Sequence, residues 1–191
     1  MKYDIILAGV GGQGVLSLAA IIAESAMKDG FQVRQSEVHG MSQRGGDVQA
    51  HLRISDKPIY SDLIPTGGAD MILSMEPLES LRYLTWLKKD GVIITAAGSF
   101  VNIPNYPEIQ NVYDTLKVLP HTHIVKTAEL AKKAGNSRVE NMVLIGTALE
   151  YLPLKLETVE KTVHDRFASK DMALVDINIK ALELGRDSEH D

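Results

Sequence analysis

Cysteine is absent from the 191-residue chain. No thiolate is available to ligate an iron–sulfur cluster or a Cys-type zinc, and no disulfide framework can form. That composition fits the reducing cytosol, so a cytoplasmic location is expected. Runs of Lys and Arg are missing too, and the formal net charge is −5. A general nucleic-acid binder needs a basic surface against phosphate, so that class is excluded. There is no G-x-S-x-G elbow, no P-loop and no Cys–His pair, which leaves nucleophilic catalysis without a visible agent. Repeats, linkers and low-complexity segments are also lacking. Residues 5–23 carry no charge and have about the length of a membrane span. Four of them are glycines, however, and Glu24 follows directly. Asp4 spoils a positive n-region and no cleavage pattern is evident. The stretch reads as a buried strand, turn and helix, with no membrane association expected.

What is present is ordinary for a globular protein: 45% hydrophobic and 24% charged residues. One domain over residues 1–185 is expected, with a flexible polar tail at 186–191. Tyr3 to Ala8 is apolar apart from Asp4, as in a strand buried on both faces of a parallel sheet. Val15, Leu18, Ala19, Ile22 and Ala26 then fall at helical spacing, and Gly30 suits the helix stop. Phe31 to Ser36 reads as a second strand. Residues 47–54 alternate cleanly, which predicts a half-exposed strand with Asp47, Gln49, His51 and Arg53 outward. After a turn at 55–58, Ile59-Tyr60 is expected to return as a short antiparallel partner.

Strands and helices then alternate. Met71–Met75 and Val92–Ala96 read as strands. Pro77 opens a helix between them, with Leu78, Leu81, Leu84 and Leu87 on one face. Residues 99–120 read as loop with a short helix. His123–Val125 reads as the last strand, and a short helix ends near Gly135. Ser137 and Glu140 fit a capping box before a buried helix carrying Val139, Met142, Val143, Ile145 and Leu149. Two more helices start near Leu156 and Asp171. The fold class is therefore α/β: a Rossmann-like open, mostly parallel sheet, helices on both faces, and an antiparallel hairpin insertion after the second strand.

Two segments carry chemistry. The first is GVGGQG, with Gly9, Gly11 and Gly14 spaced G-x-G-x-x-G between a strand and a helix. Gly11 and Gly12 leave N–H groups uncovered, and the helix start directs its dipole at the turn, so phosphate could sit there. A dinucleotide fold would continue with a helix after the second strand. Here a polar loop follows instead, SEVHGMSQRGG, so that Glu37 only partly fills the place of a ribose-binding acid. In that loop Arg44 could clamp a phosphate or carboxylate, and Gly45 and Gly46 could form an N–H nest. His39 could move protons. The pair His121 and His123 lacks a visible third metal ligand, and Met71, Met75 and Met142 suit the core.

Together GVGGQGV and SEVHGMSQRGGDVQAHLRIS resemble the gamma-domain family of 2-oxoacid:ferredoxin oxidoreductases, most closely its short indolepyruvate-type members. Gly9, Gly11, Gly12, Gln13 and Gly14 match the family's glycine turn. Glu37, Gly40, Arg44, Gly45 and Gly46 match its second signature, and residues 136–149 resemble its later helix. The resemblance implies an accessory subunit of a complex that makes acyl-CoA, CO2 and reduced ferredoxin from a 2-oxoacid. It places thiamine diphosphate and the iron–sulfur clusters mainly on a large partner chain. It implies a hetero-oligomer, with no cofactor assigned to this chain itself. The turn and the loop follow consecutive strands, so both should emerge at one sheet edge, where Gly9, Gly11, Gly12, Gln13, Gly14, Arg44, Gly45 and Gly46 could bind the phosphates of CoA. Glu37, His39, Gly40, Ser42 and Gln43 would then contact CoA or the partner. A stand-alone NAD- or flavin-binding reductase and a nucleotide-binding scaffold are the alternatives.

Overall fold

The structure is a computed structural model that describes residues 1–39 and 45–188. The strands are β1 (Lys2–Val10), β2 (Gln32–His39), β3 (Asp47–Ser55), β4 (Ala69–Ser74), β5 (Leu87–Ala96) and β6 (Thr122–Val125). Among the described residues they form one sheet in the order β2-β3-β1-β4-β5-β6. The strands β1, β4, β5 and β6 are parallel. β3 runs antiparallel to both β1 and β2. The expected α/β sheet and its antiparallel insertion after β2 are present, but the insertion lacks its short second strand. Ile59 and Tyr60 form no strand. β3 instead wedges between β1 and β2.

The helices are α1 (Val15–Lys28), α2 (Pro77–Arg82), α3 (Ile109–Lys117), α4 (Thr127–Ala134), α5 (Glu140–Ala148), α6 (Leu156–Phe167) and α7 (Met172–Arg186). One sheet face, carrying Ile5, Leu7, Leu52, Met71 and Ile94, packs on α1 and α4–α7. The opposite face, carrying Ile6, Ala8, Ile72 and Ile93, packs on Tyr83, Val112 and Leu116. Each parallel strand is therefore buried on both faces, which is why β1 reads as an unbroken apolar run.

Several boundaries differ from the sequence reading. α2 stops at Arg82, and a 3-10 turn (Leu84–Trp86) leads into β5 at Leu87. Leu78, Leu81, Leu84 and Leu87 still meet the second core, reaching it by helix, turn and strand instead of one helix face. The Ser137–Glu140 capping box does not form. Asn136 caps a 3-10 turn by accepting from the Arg138 N–H at 2.9 Å, and Glu140 accepts from the Thr127 hydroxyl at 2.5 Å. α7 runs on through Arg186, past the expected tail boundary.

The outward face of β3 is covered, not half-exposed. Arg53 donates from Nε and Nη2 to the fully buried Asp4 at 2.9 and 3.2 Å. Its Nη1 donates to the carbonyls of Ser61 and Leu63 at 3.0 and 2.9 Å. The His51 Nδ1 accepts from the Ile64 N–H at 2.9 Å. Residues 56–68 are thus strapped across the sheet by two side chains whose polarity suggested solvent. An accepting Nδ1 places the neutral imidazole proton on Nε2, so the nearby Gln49 amide must present its oxygen there.

α5 and α7 cross at closest approach through Gly146 and Gly185. A Cβ on Gly185 would lie 2.0 Å from the Val143 carbonyl oxygen. Gly185→Ala is expected to cost about 3 kcal/mol by forcing the helices apart, read as a lowered midpoint in urea unfolding. A second outcome concerns pH. Burial, aided by the Arg53 charge, holds the His51 imidazole below its ordinary value of 6.5. The unfolded chain takes up this proton near pH 6.5 while the folded chain resists it, so stability falls as pH drops below about 6.5. His51→Asn retains an acceptor near Nδ1 without the titration. Its stability is expected to fall less steeply between about pH 6.5 and 5.5, measured by thermal unfolding across that range.

Candidate functional site

The glycine turn forms between β1 and α1 as the sequence predicts. Gly14 caps α1 in the left-handed region at φ 88° and ψ 21°, a conformation that costs most other residues about 1 kcal/mol or more. Gly9 faces the helix, where a Cβ would come within 2.7 Å of Val15 Cγ2. Leu18 donates to the Gly14 carbonyl at 3.1 Å. The N–H groups of Val15, Leu16 and Ser17 lie before that first bond and so have no intrahelical acceptor. Gln13 braces the turn from within. Its Oε1 accepts from the Val10 N–H at 2.8 Å, and its Nε2 donates to the Met75 carbonyl at 3.1 Å. Its amide is therefore committed to joining the ends of β1 and β4.

The second signature comes to the same sheet edge. β3 is antiparallel to both β1 and β2, so both of those strands end where β3 begins. Gly11 donates to the Gly46 carbonyl at 2.8 Å, and Gly45 donates back to the Gly11 carbonyl at 3.4 Å, so these two N–H groups tie the loops together and are not uncovered as the sequence suggested. A third loop joins them, because the Asn102 Nδ2 donates to the Gly45 carbonyl at 2.9 Å. Glu37 lies in β2 and accepts from the Gln35 side chain at 2.5 Å. His39 closes β2 with its backbone, and its side chain lies outside the described residues. Gly40, Ser42, Gln43 and Arg44 lie outside them as well.

A cleft of about 430 Å³ opens at the turn, lined by Gly12, Gln13, Gly14, Ser17, Arg138 and Asn141 among others. Arg138 is exposed at this rim, and no ion-pair partner holds its guanidinium among the described residues. Glycine N–H groups, the amino end of a 14-residue helix and a free guanidinium together favour a phosphate or carboxylate. Sequence reasoning missed Arg138 and Asn141. Their only signal was their place in the segment 136–149, and only packing brings that segment across to the turn. His123 does not join the site. It meets the Tyr151 hydroxyl at 2.8 Å, and burial lowers its pKa. Among the described residues no group of three or more His, Asp or Glu converges as a metal cage. Nor is any described helix long and apolar enough to cross a membrane.

The strand wedge also bears on dinucleotide binding. A ribose-binding acid belongs at the end of the strand next to β1. Here β3 takes that place, and β2 with Glu37 stands two strand spacings away, about 10 Å.

An α/β sheet with a glycine-turn cleft and a second glycine loop at one edge defines the class, and the match is direct. Residues 4–188 fit the family described as pyruvate ferredoxin/flavodoxin oxidoreductase. The chain belongs to that family. It is 39% identical to the indolepyruvate oxidoreductase subunit IorB of Archaeoglobus fulgidus, over 97% of this chain and 94% of that protein. It is 28% identical to the ketoisovalerate oxidoreductase subunit VorA of Methanothermobacter marburgensis, over 95% of this chain but 35% of that protein. The crystal structure of the keto/oxoacid ferredoxin oxidoreductase gamma subunit from Geobacter sulfurreducens PCA superposes with a TM-score of 0.70. That match is 28% identical and covers 96% of each chain.

Gln13→Ala would strand the buried Val10 N–H and release Met75. A loss of about 2 kcal/mol is expected in urea unfolding. Gln13→Glu retains the acceptor for Val10 but not the donor for Met75, and is expected to fall between the alanine variant and the parent.

Proposed function

We propose that the chain is the accessory small subunit of a 2-oxoacid:ferredoxin oxidoreductase acting on indolepyruvate or a related aryl pyruvate. The observation that carries this reading is the 39% identity to an indolepyruvate oxidoreductase subunit across nearly the full length of both chains. Thiamine diphosphate and iron–sulfur clusters on a partner chain would supply decarboxylation and electron transfer to ferredoxin, with CoA as acyl acceptor. A chain without cysteine cannot ligate such clusters through thiolates. Alone it is expected to be inactive, and it works in the cytoplasm as part of a hetero-oligomer.

The role assigned to this chain is to receive the phosphates of CoA. The N–H groups of Gly12 and Gly14, the start of α1 and the Arg138 guanidinium form the receiving surface. Arg44 belongs to the same role by its sequence position. The stand-alone NAD reading is disfavoured by the strand wedge, which moves Glu37, the acid the sequence offered, away from beside the turn.

The test is steady-state assay of the reconstituted complex on indolepyruvate with CoA and a ferredoxin substitute. Arg138→Ala and Arg44→Ala are each expected to raise KM for CoA about tenfold with kcat little changed, as for lost ground-state binding of an anion. Unchanged CoA kinetics in both variants, with assembly intact, would remove CoA from this cleft. NADH oxidation by the isolated chain would overturn the subunit reading itself.

A further inference from the structure

The carboxylate of Glu76 is 1% exposed and sits where β4 passes into α2. No cationic side chain pairs with it among the described residues. Its Oε2 accepts from the Glu79 N–H at 2.8 Å. Its Oε1 accepts from the Phe100 N–H at 3.3 Å and from the Tyr106 hydroxyl. A buried carboxylate without its donors is costly, so the loop supplying two of them cannot leave without stranding the charge. Burial and the Glu76 carboxylate together raise the Tyr106 pKa far above the ordinary phenol value. The hydroxyl therefore remains a donor across physiological pH. The Tyr113 hydroxyl also donates to the Ala97 carbonyl, pinning the start of the same loop.

This firmly held backbone presents apolar side chains to solvent. Phe100 is 42% exposed and Val101 70%. The next residue, Asn102, bonds the Gly45 carbonyl, which makes the loop continuous with the glycine turn. Exposed Tyr60, Leu63 and Val118 lie elsewhere, on segments that lead to the amino ends of β4 and β6. Two constraints select between these surfaces. If CoA phosphates rest at the turn, the thiol must reach a thiamine centre on another chain, so that chain must cover the carboxyl edge of the sheet. In VorA, moreover, the counterpart of this chain is only about a third of a longer protein. Further protein is therefore tied to this fold in that relative.

We infer that residues 97–106 form the docking element for the thiamine-bearing partner subunit, with Phe100 and Val101 as apolar anchors and Glu76 as the residue that presets their position. This inference rests on the subunit reading above. An anchor displayed on a preset loop loses little conformational freedom on binding, and aromatic anchors dominate interface energetics. The loop would also link docking to the cleft, through Asn102 and Gly45.

The test mixes the purified full-length chain with the other subunit of the same organism's oxidoreductase and measures affinity by calorimetry and co-elution. The double variant Phe100→Ser/Val101→Ser is expected to bind about a hundredfold more weakly. Both side chains are exposed, so its thermal unfolding should match the parent. Tyr106→Phe retains the anchors but removes one bond to Glu76, and about fivefold weaker binding is expected. Tyr60→Ser/Val118→Ser is expected to bind as the parent does. Parent-like affinity of the Phe100/Val101 variant, or loss of binding only in the Tyr60/Val118 variant, would overturn the docking assignment and leave the subunit reading intact. A parent chain that does not bind the other subunit would overturn the subunit reading and the docking assignment with it.

Discussion

The ladder between β1 and β3 pairs Lys2 with Ser55 at one end and Val10 with Asp47 at the other. Because it is antiparallel, β3 must start where β1 ends. That single direction delivers Gly45 and Gly46 to Gly11 and sends residues 56–68 to the opposite edge. It also displaces β2 from the neighbour position that a dinucleotide-binding sheet would give it. The glycine turn retains its strand-turn-helix geometry, while the position beside β1 that β2 would take in such a sheet is filled by β3.

The polar side of β3 shows how the register is secured. Side chains alternate faces along a strand, so a one-residue slip would carry Arg53 away from Asp4 and put Leu52 or Ile54 in its place. The bidentate contact to Asp4, the two strap carbonyls and the His51 acceptor are all satisfied in only one register. A buried ion pair is weak evidence for net stability. Its clearer effect here is to align β1, β3 and the strap together.

At the carboxyl edge four connections converge from distant parts of the chain. Gly11 meets Gly46, Asn102 meets Gly45, and Glu76 holds Phe100 and Tyr106. Gln13 closes the set by joining Val10 to Met75. The rim thus behaves as a connected network and not as separate loops. A change at residues 97–106 therefore has a hydrogen-bonded route to the glycine turn.

Local sequence pattern determined most of the element order. Gly14, Gly30 and Gly135 each mark a helix boundary that the structure retains. The glycine spacing also determined the turn, because left-handed backbone and close helix packing favour glycine. Tertiary structure decided what periodicity cannot encode. The alternation of 47–54 gives a strand but neither its neighbours nor whether its polar face meets water. Burial of His51 and Arg53 depends on a strap whose own sequence has no period. Arg138 reaches the cleft only because α5 packs near α1. Glu76 became a hub only when residues 97–106 folded over it. Backbone conformation is a short-range property readable from neighbouring residues. Burial, pairing order and the assembly of a site depend on contacts between residues far apart in the chain.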